Sequence, residues 1–405
     1  MGDGETIVIV GGGEAGGRAA LRLRDAGCSG EVKLICREPH LPYERPSVSK
    51  QLLWSADTGL PLHVPAARYA ERSIDIVHAT VAGIDRAARQ AALSDGTSLG
   101  YSRLLLACGA RPRRLGIVGA DLPGVIHLRD AAHGFDLRAR LVNAHHLLVV
   151  GGGFIGLEVA ASARKLGCRV TLVERADRLM ARAVPAAVSN TFATFHRSAG
   201  VDLRLGVEPV TFVGEEWLES AHLSDGTIVN ADVAIVGIGV VPRVELASAS
   251  GLTVDDGIVV DSACRTSDPA IFAVGDVARQ HNDWAGHSVR LESWQSARDQ
   301  ADLAVGAMLG RENGSPRPPW MWSDQYEHGL QVLGFPDLQR SFQPRGDVAS
   351  GAYALFQLAE GRLSAAITVN RPADMAAAKK IMAARVAVRA ASLCDPDVRL
   401  RSLAA

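Results

Sequence analysis

Three glycines spaced as Gly11-x-Gly13-x-x-Gly16 follow the apolar run TIVIV and open an alanine-rich stretch with helical spacing. Glycines in this order permit a tight strand-to-helix turn and a close backbone approach to a pyrophosphate, whose charge sits at the positive end of the helix. The arrangement returns at Gly151-x-Gly153-x-x-Gly156. Two copies imply two dinucleotides. A ribose 2′-hydroxyl calls for a carboxylate about 20 residues beyond the glycines, at the end of the next strand. Glu174, closing VTLVE, meets this in the second copy. Its charge repels a 2′-phosphate and favours NADH over NADPH, with Arg175 and Arg182 near enough to allow some use of both. In the first copy VKLIC runs into Arg37-Glu38, and Glu38, one or two positions late, is the candidate for an adenosine ribose. Farther on, Gly275-Asp276 follows the apolar run IFAV. An aspartate there can accept from a flavin ribityl hydroxyl while the glycine lets backbone approach phosphates. The loop LPYERPSVSK, stiffened by two prolines and closed by Lys50, is something the nucleotide motif does not require.

The elements that would carry these residues come in a repeat. The segments TIVIVGGGEAGGRAALRLRDAGCSGEVKLICRE and HLLVVGGGFIGLEVAASARKLGCRVTLVER each read as strand, glycine turn, helix and second strand, about 140 residues apart. Each is followed by a β-rich insertion whose hairpin turn is marked by Asp-Gly, at Asp95-Gly96 and in HLSDGTIV. Beyond residue 320 the runs LQVLGF, YALFQL and RLSAAITV read as an antiparallel sheet, followed by a helix from about Pro372 to Arg389. The expected architecture is α/β: two Rossmann-like dinucleotide-binding domains and a C-terminal α+β domain. The expected boundaries are 1–114 with 243–320 for the first domain, 115–242 for the second and 321–405 for the third.

A length of 405 residues fits such a division better than one core. The formal net charge of -1 gives no global attraction to nucleic acid or an anionic membrane. The acidic start MGDGETIVIV lacks a basic region and a long apolar core, and the apolar runs are far shorter than the roughly 20 residues of a membrane helix, so a soluble cytoplasmic protein is expected. Six scattered cysteines show neither a C-x-x-C pair nor metal-ligand spacing, and no metal is expected.

The order of Gly11 to Gly16, LLLACGARPR, Gly151 to Gly156 and FAVGDVA resembles the flavoproteins of the glutathione reductase type. Within them, PYERPSVSK, GGGFIGLEVAA, VGIGVVP, RLESWQSARDQA and WMWSDQYEHGLQVLG resemble the NADH-dependent ferredoxin reductases of Rieske oxygenases and bacterial cytochromes P450, the putidaredoxin reductase group. The resemblance covers nearly the whole length. It implies FAD on the first unit, NADH on the second, a C-terminal domain closing the flavin edge, and a [2Fe–2S] ferredoxin as partner with a terminal oxygenase reached indirectly. No segment reads as an obligate interface, so the oligomeric state is open between a monomer and a homodimer.

Lys50 is then the candidate cation beside the flavin N5, with Glu158 paired to it. The family's motifs place Arg45, Gly109, Gly275, Asp276, Trp294 and Trp322 at the flavin, and Ile155, Arg182 and Gly237 at the nicotinamide nucleotide. Two departures stand out: Ala107-Cys108-Gly109 replaces the usual Ala-Thr-Gly, and Pro46-Ser47-Val48-Ser49-Lys50 the usual Pro-Pro-Leu-Ser-Lys. An acidic ferredoxin would dock on a basic patch, with Arg290 and Arg298 as nearer candidates and Arg340, Arg345, Lys379 and Lys380 as more distant ones. Rubredoxin reductases share the cofactors and differ in partner. Apoptosis-inducing-factor relatives share the flavin site and use the NADH-reduced state for signalling. Disulfide reductases and cysteine-based oxidases need a thiol in the loop that here ends in Lys50.

Overall fold

The structure, a computed structural model, describes residues 4–55, 59–311 and 317–404. The chain divides into two compact units, one formed by residues 1–45, 60–111 and 241–319 and the other by 46–59, 112–240 and 320–405. In the first unit a parallel sheet runs in the spatial order Ile271–Ala273, Arg103–Leu106, Thr6–Val10, Glu31–Cys36, Ile74–His78. Its strands are continuous apolar runs because both faces are covered. Ile7, Ile9 and Leu105 point to one side, against Ala19, Leu23, Ala301 and Val305. Val8, Val10 and Leu104 point to the other, against Val81, Leu93 and Ile258. The helices Glu14–Asp25 and Trp294–Met308 cover the first side, joined by Arg18 donating to both carboxylate oxygens of Asp302 at 3.0 and 2.9 Å.

The second unit repeats the plan with parallel strands Val201–Leu205, Arg169–Glu174, His146–Val150, Val233–Val236 and Val125–Ile126. Each unit also holds a three-stranded antiparallel sheet, Val81–Asp85, Gln90–Leu93 and Ser98–Gly100 in one and Pro209–Val213, Ser220–Leu223 and Ile228–Asn230 in the other. Both expected hairpin turns form, with Gly96 at φ +88° and Gly226 at φ +82°. In each, the preceding aspartate accepts from the backbone N–H of the threonine after the glycine.

The C-terminal sheet is antiparallel and five-stranded, in the order Trp320–Gln325, His328–Gly334, Arg362–Val369, Tyr353–Ala359, Gln343–Arg345. Leu330, Val332, Tyr353, Ile367 and Val369 share one apolar core with Leu147, Leu157 and Phe192, so this sheet is cemented to the second nucleotide-binding unit. The helix expected to run to about Arg389 is Pro372–Ala384. Arg385 adopts φ +52°, a left-handed conformation that ends the helix although the residue is not glycine. Among the described residues no helix is long and apolar enough to cross a membrane.

Candidate functional site

The glycine turns answer two different demands. A Cβ on Gly11 would lie 2.3 Å from the Ala107 carbonyl oxygen, and one on Gly16 would lie 1.9 Å from that of Gly11. The second turn repeats this, with 2.5 Å from Gly151 to the Gly237 oxygen and 2.1 Å from Gly156 to the Gly151 oxygen. These four glycines are required by the chain itself. Gly153 is not: a Cβ there would meet nothing within 4 Å, and one on Gly13 would meet only the tip of Arg45, at 3.6 Å. The helices beginning at Glu14 and Phe154 have no side-chain N-cap, which leaves first-turn N–H groups to an outside acceptor. Open space above uncapped N–H groups is what a pyrophosphate needs, so both turns fit a dinucleotide. Ile155, 46% exposed, stands on the first turn beside Gly153. The Glu14 carboxylate is turned onto His63 at 2.8 Å and Arg298 at 3.0 Å.

Glu174 sits where the spacing places it. One carboxylate oxygen accepts from the Gly152 N–H at 2.6 Å and the other from the Ala176 N–H at 2.7 Å, which fixes the group beside the turn with lone pairs to spare. The exposed Arg182 side chain comes within 3.9 Å of where Gly239 would carry a Cβ, next to Gly237. In the first unit the position equivalent to Glu174 is Cys36: a Cβ on Gly12 would meet its Sγ as one on Gly152 would meet the Glu174 side chain. Glu38 lies two residues beyond and accepts from Tyr43 Oη at 2.6 Å and from Arg45.

Gly275 takes φ +77° and its N–H donates to Gln300 Oε1 at 2.7 Å. A Cβ on Gly275 would lie 3.2 Å from Ala15, so Asp276 is held beside the first glycine turn. Buried Gln300 was not visible as a site residue in the sequence; an isolated glutamine on the apolar face of the helix Trp294–Met308 was the available signal. Gly109 is left-handed at φ +66°. Trp294 Nε1 donates to Glu44 at 2.7 Å, and Arg298 lies 4.4 Å over its ring. Trp322 stacks on Trp320 at 5.1 Å and donates to Asp324.

Lys50 and Glu158 meet in the second unit, Nζ to Oε2 at 2.7 Å, with side chains 17% and 3% exposed. The helix Phe154–Lys165 carries Glu158 two residues past Gly156, facing the short helical turn Arg45–Ser49 that precedes Lys50. Ser49 donates to Glu158 Oε2 at 2.5 Å, Ser323 donates to Oε1 at 2.6 Å, and Ser162 donates to the Ser49 carbonyl at 2.9 Å. Val48 and Leu52 close on Gly134, and Lys165 lies 4.6 Å over the Trp54 ring. A carboxylate this buried is costly unless it is paired and hydrogen-bonded, and here it is both. Ser49 and Ser323 are the site residues that spacing did not reveal.

The six cysteines are all unpaired. Burial pushes the Cys36 thiol up to about 11, with Glu38 adding to the shift, and pushes Cys108 up to about 12. Neither is a thiolate near neutral pH, so neither can attack a disulfide. Arg345 is not a docking residue. It is 6% exposed and spends its guanidinium on the carbonyls of Leu393, Asp395, Pro396 and Val398. Arg290 is similarly committed, to Glu292 and the Asp276 carbonyl.

Residues 5–301 match the pyridine nucleotide-disulphide oxidoreductase family, and residues 320–404 match the reductase C-terminal family. The chain belongs to the pyridine nucleotide-disulphide oxidoreductases. Among the relatives of this oxidoreductase is the ferredoxin–NAD(+) reductase component of the anthranilate 1,2-dioxygenase system of Burkholderia cepacia, 41% identical over 403 residues that cover 98% of this chain and 99% of that one. The solved ferredoxin reductase for the CYP199A2 system of Rhodopseudomonas palustris has a TM-score of 0.95 at 37% identity, covering 99% of this chain and 100% of that one. A covalent putidaredoxin reductase–putidaredoxin complex matches with a TM-score of 0.95 at 37% identity, over 99% of this chain and 98% of that one. The fold expected from the repeated glycine motif, α/β with two dinucleotide-binding units and a C-terminal α+β part, is the fold observed.

Proposed function

We infer that this oxidoreductase passes electrons from NADH through FAD to a small [2Fe–2S] ferredoxin that serves a Rieske oxygenase or a cytochrome P450. The observation that carries the reading is the Lys50–Glu158 pair at 2.7 Å, in a loop that offers no thiol, in a chain whose Cys36 and Cys108 are held protonated by burial. When bound, FAD accepts a hydride from NADH and releases the two electrons one at a time. The protein's part is to bind, orient and hold charge.

Gly11, Gly13 and Gly16 with Asp276, Gly109, Arg45 and Glu38 would hold FAD. Gly151, Gly153 and Gly156 with Glu174, Ile155, Arg182 and Gly237 would hold NADH, Glu174 accepting from the ribose and repelling a 2′-phosphate. Lys50 would supply a fixed cation for the negative charge that reduction brings, with Glu158 setting the position of that cation. Trp294 and Trp322 would bound the flavin site. The domains proposed are 1–114 with 243–320 for FAD, 115–242 for NADH and 321–405 for the C-terminal part. Six unpaired cysteines suit a reducing compartment, in keeping with a cytoplasmic location.

The test is an acceptor panel under anaerobic conditions with the FAD-loaded chain and NADH: a [2Fe–2S] ferredoxin, a rubredoxin, and low-molecular-weight disulfides. Fast turnover with the ferredoxin is expected. Rapid disulfide reduction, preference for rubredoxin, or slow turnover with every acceptor and a long-lived NADH complex would each refute the reading.

A further inference from the structure

A file of buried polar groups leads away from Glu158. Ser323, Gln325 and His196 are 0%, 1% and 0% exposed. Gln325 Nε2 lies 3.2 Å from Ser323 Oγ, Gln325 Oε1 lies 2.9 Å from His196 Nε2, and His196 Nδ1 lies 3.1 Å from Tyr326 Oη. The donor capacity of each group fixes the direction. Ser323 has one proton, and the carboxylate 2.6 Å away is its strongest acceptor, so its oxygen is left to accept from the Gln325 amide N–H. That orientation turns the Gln325 carbonyl to His196, which must carry its proton on Nε2. Nδ1 then accepts from the Tyr326 hydroxyl. With the amide turned over, the single Ser323 proton would face two acceptors, Glu158 Oε1 and Gln325 Oε1, and one of them would go without it. Burial lowers the His196 pKa to about 4, which keeps the ring neutral and able to donate on one side and accept on the other.

We propose that Tyr326, His196, Gln325 and Ser323 form a one-way donor chain whose four hydrogen bonds all point at Glu158, making them positioning residues that hold its carboxylate aimed at Lys50. Aligned hydrogen bonds polarise one another, and a chain ending on an anion gains most at its last link. The C-terminal sheet thereby has a chemical task, through a strand whose alternate residues Ser323 and Gln325 face inward while Trp320 and Trp322 occupy the opposite face. The role in electron transfer rests on the Lys50–Glu158 reading given above; the direction of the chain does not.

Two measurements test this. The first is ¹⁵N NMR of the histidine-labelled, FAD-loaded wild-type protein. His196 should appear at pH 7 as the neutral ring protonated on Nε2, and an Nδ1–H ring or an imidazolium would overturn the chain. The second is flavin reduction at saturating NADH by stopped flow. Ser323→Ala should slow it about tenfold, the scale of a lost bond to a charged group, with the NADH dissociation constant unchanged. Ser323→Thr should restore it, and in a Glu158→Gln background Ser323→Ala should add no further loss. Equal losses in both backgrounds, or a normal rate in Ser323→Ala beside a slow Glu158→Gln, would overturn the positioning role alone. A normal rate in Glu158→Gln would remove the Lys50–Glu158 reading and the positioning role together. If Ser323→Ala does not fold, Tyr326→Phe removes the outermost donor with little change of volume and should give a smaller loss in the same direction, an unchanged rate overturning the role.

Discussion

Replacing Glu158 with glutamine keeps the shape of the side chain and removes its charge, and the surroundings show why the change is not mild. One carboxylate oxygen accepts hydrogen bonds from both Lys50 and Ser49, and the other accepts one from Ser323. An amide can satisfy only one of these faces. With its oxygen toward Ser323, its N–H₂ meets the Lys50 ammonium at the 2.7 Å the carboxylate oxygen had occupied. With its oxygen toward Lys50 and Ser49, the Ser323 hydroxyl has no acceptor. Breaking a buried ion pair costs about 3–5 kcal/mol, and the partial exposure of Lys50 lowers this to about 2–3 kcal/mol. Glu158→Gln should therefore lower the stability of the second unit by that amount. Loss of a preorganised cation at the site of developing negative charge is worth about 10²–10³-fold; Lys50 stays in place but loses its anchor, so flavin reduction by NADH should slow by about 10- to 100-fold. The assay is anaerobic stopped flow at the flavin absorbance with saturating NADH, beside urea unfolding of the same variant. A wild-type rate constant with intact FAD content would refute the role of the pair, whatever the stability.

Glu174→Ala should erode discrimination against NADPH by about tenfold while FAD content stays at the wild-type level, because the bond it accepts from Gly152 ties it to the second glycine turn. Unchanged nicotinamide selectivity would remove Glu174 from the site. Gly153→Ala should raise the NADH dissociation constant about tenfold without altering the melting temperature, since the added methyl meets no protein atom within 4 Å and would fill only the space kept for pyrophosphate. A lower melting temperature with normal NADH binding would contradict this. His196 makes stability depend on pH. It is neutral when folded, with a pKa of about 4 against an ordinary 6.5, so the unfolded chain alone takes up a proton between these values. Its contribution is complete above pH 6.5 and is lost as pH falls toward about 4, amounting to about 2 kcal/mol at pH 5. His196→Gln should flatten the fall in urea midpoint between pH 7 and 5, and an unchanged slope would contradict the assignment.

Much of the nucleotide-binding architecture was legible because its demands are local. Gly11, Gly16, Gly151 and Gly156 are required by backbone contacts within each βαβ unit, and a repeat of such units cannot be hidden by tertiary context. Glu174 was legible for the same reason. Its counterpart was not: the residue at the equivalent strand end is Cys36, and Glu38 lies two residues past it, tied to Tyr43 and Arg45. Nothing in the spacing alone joins Lys50 to Glu158, since their meeting depends on how the short helical segments between Arg45 and Trp54 fold onto a helix far along the chain; family resemblance supplied that pairing. The groups beyond Glu158 were invisible because each is ordinary by itself, a serine and a glutamine alternating in a strand and a histidine on a separate helix. The end of the last long helix was misjudged because Arg385 turns left-handed without the glycine that usually announces it.

The most direct measurement is the stoichiometry of transfer in a single anaerobic experiment, in which the FAD-loaded chain, reduced by one equivalent of NADH, is mixed with excess oxidised [2Fe–2S] ferredoxin. Two ferredoxins should be reduced for each NADH consumed, with the flavin returning to its oxidised spectrum within the turnover time. A flavin that stays reduced beside oxidised ferredoxin, and empties only on adding a disulfide, would contradict it.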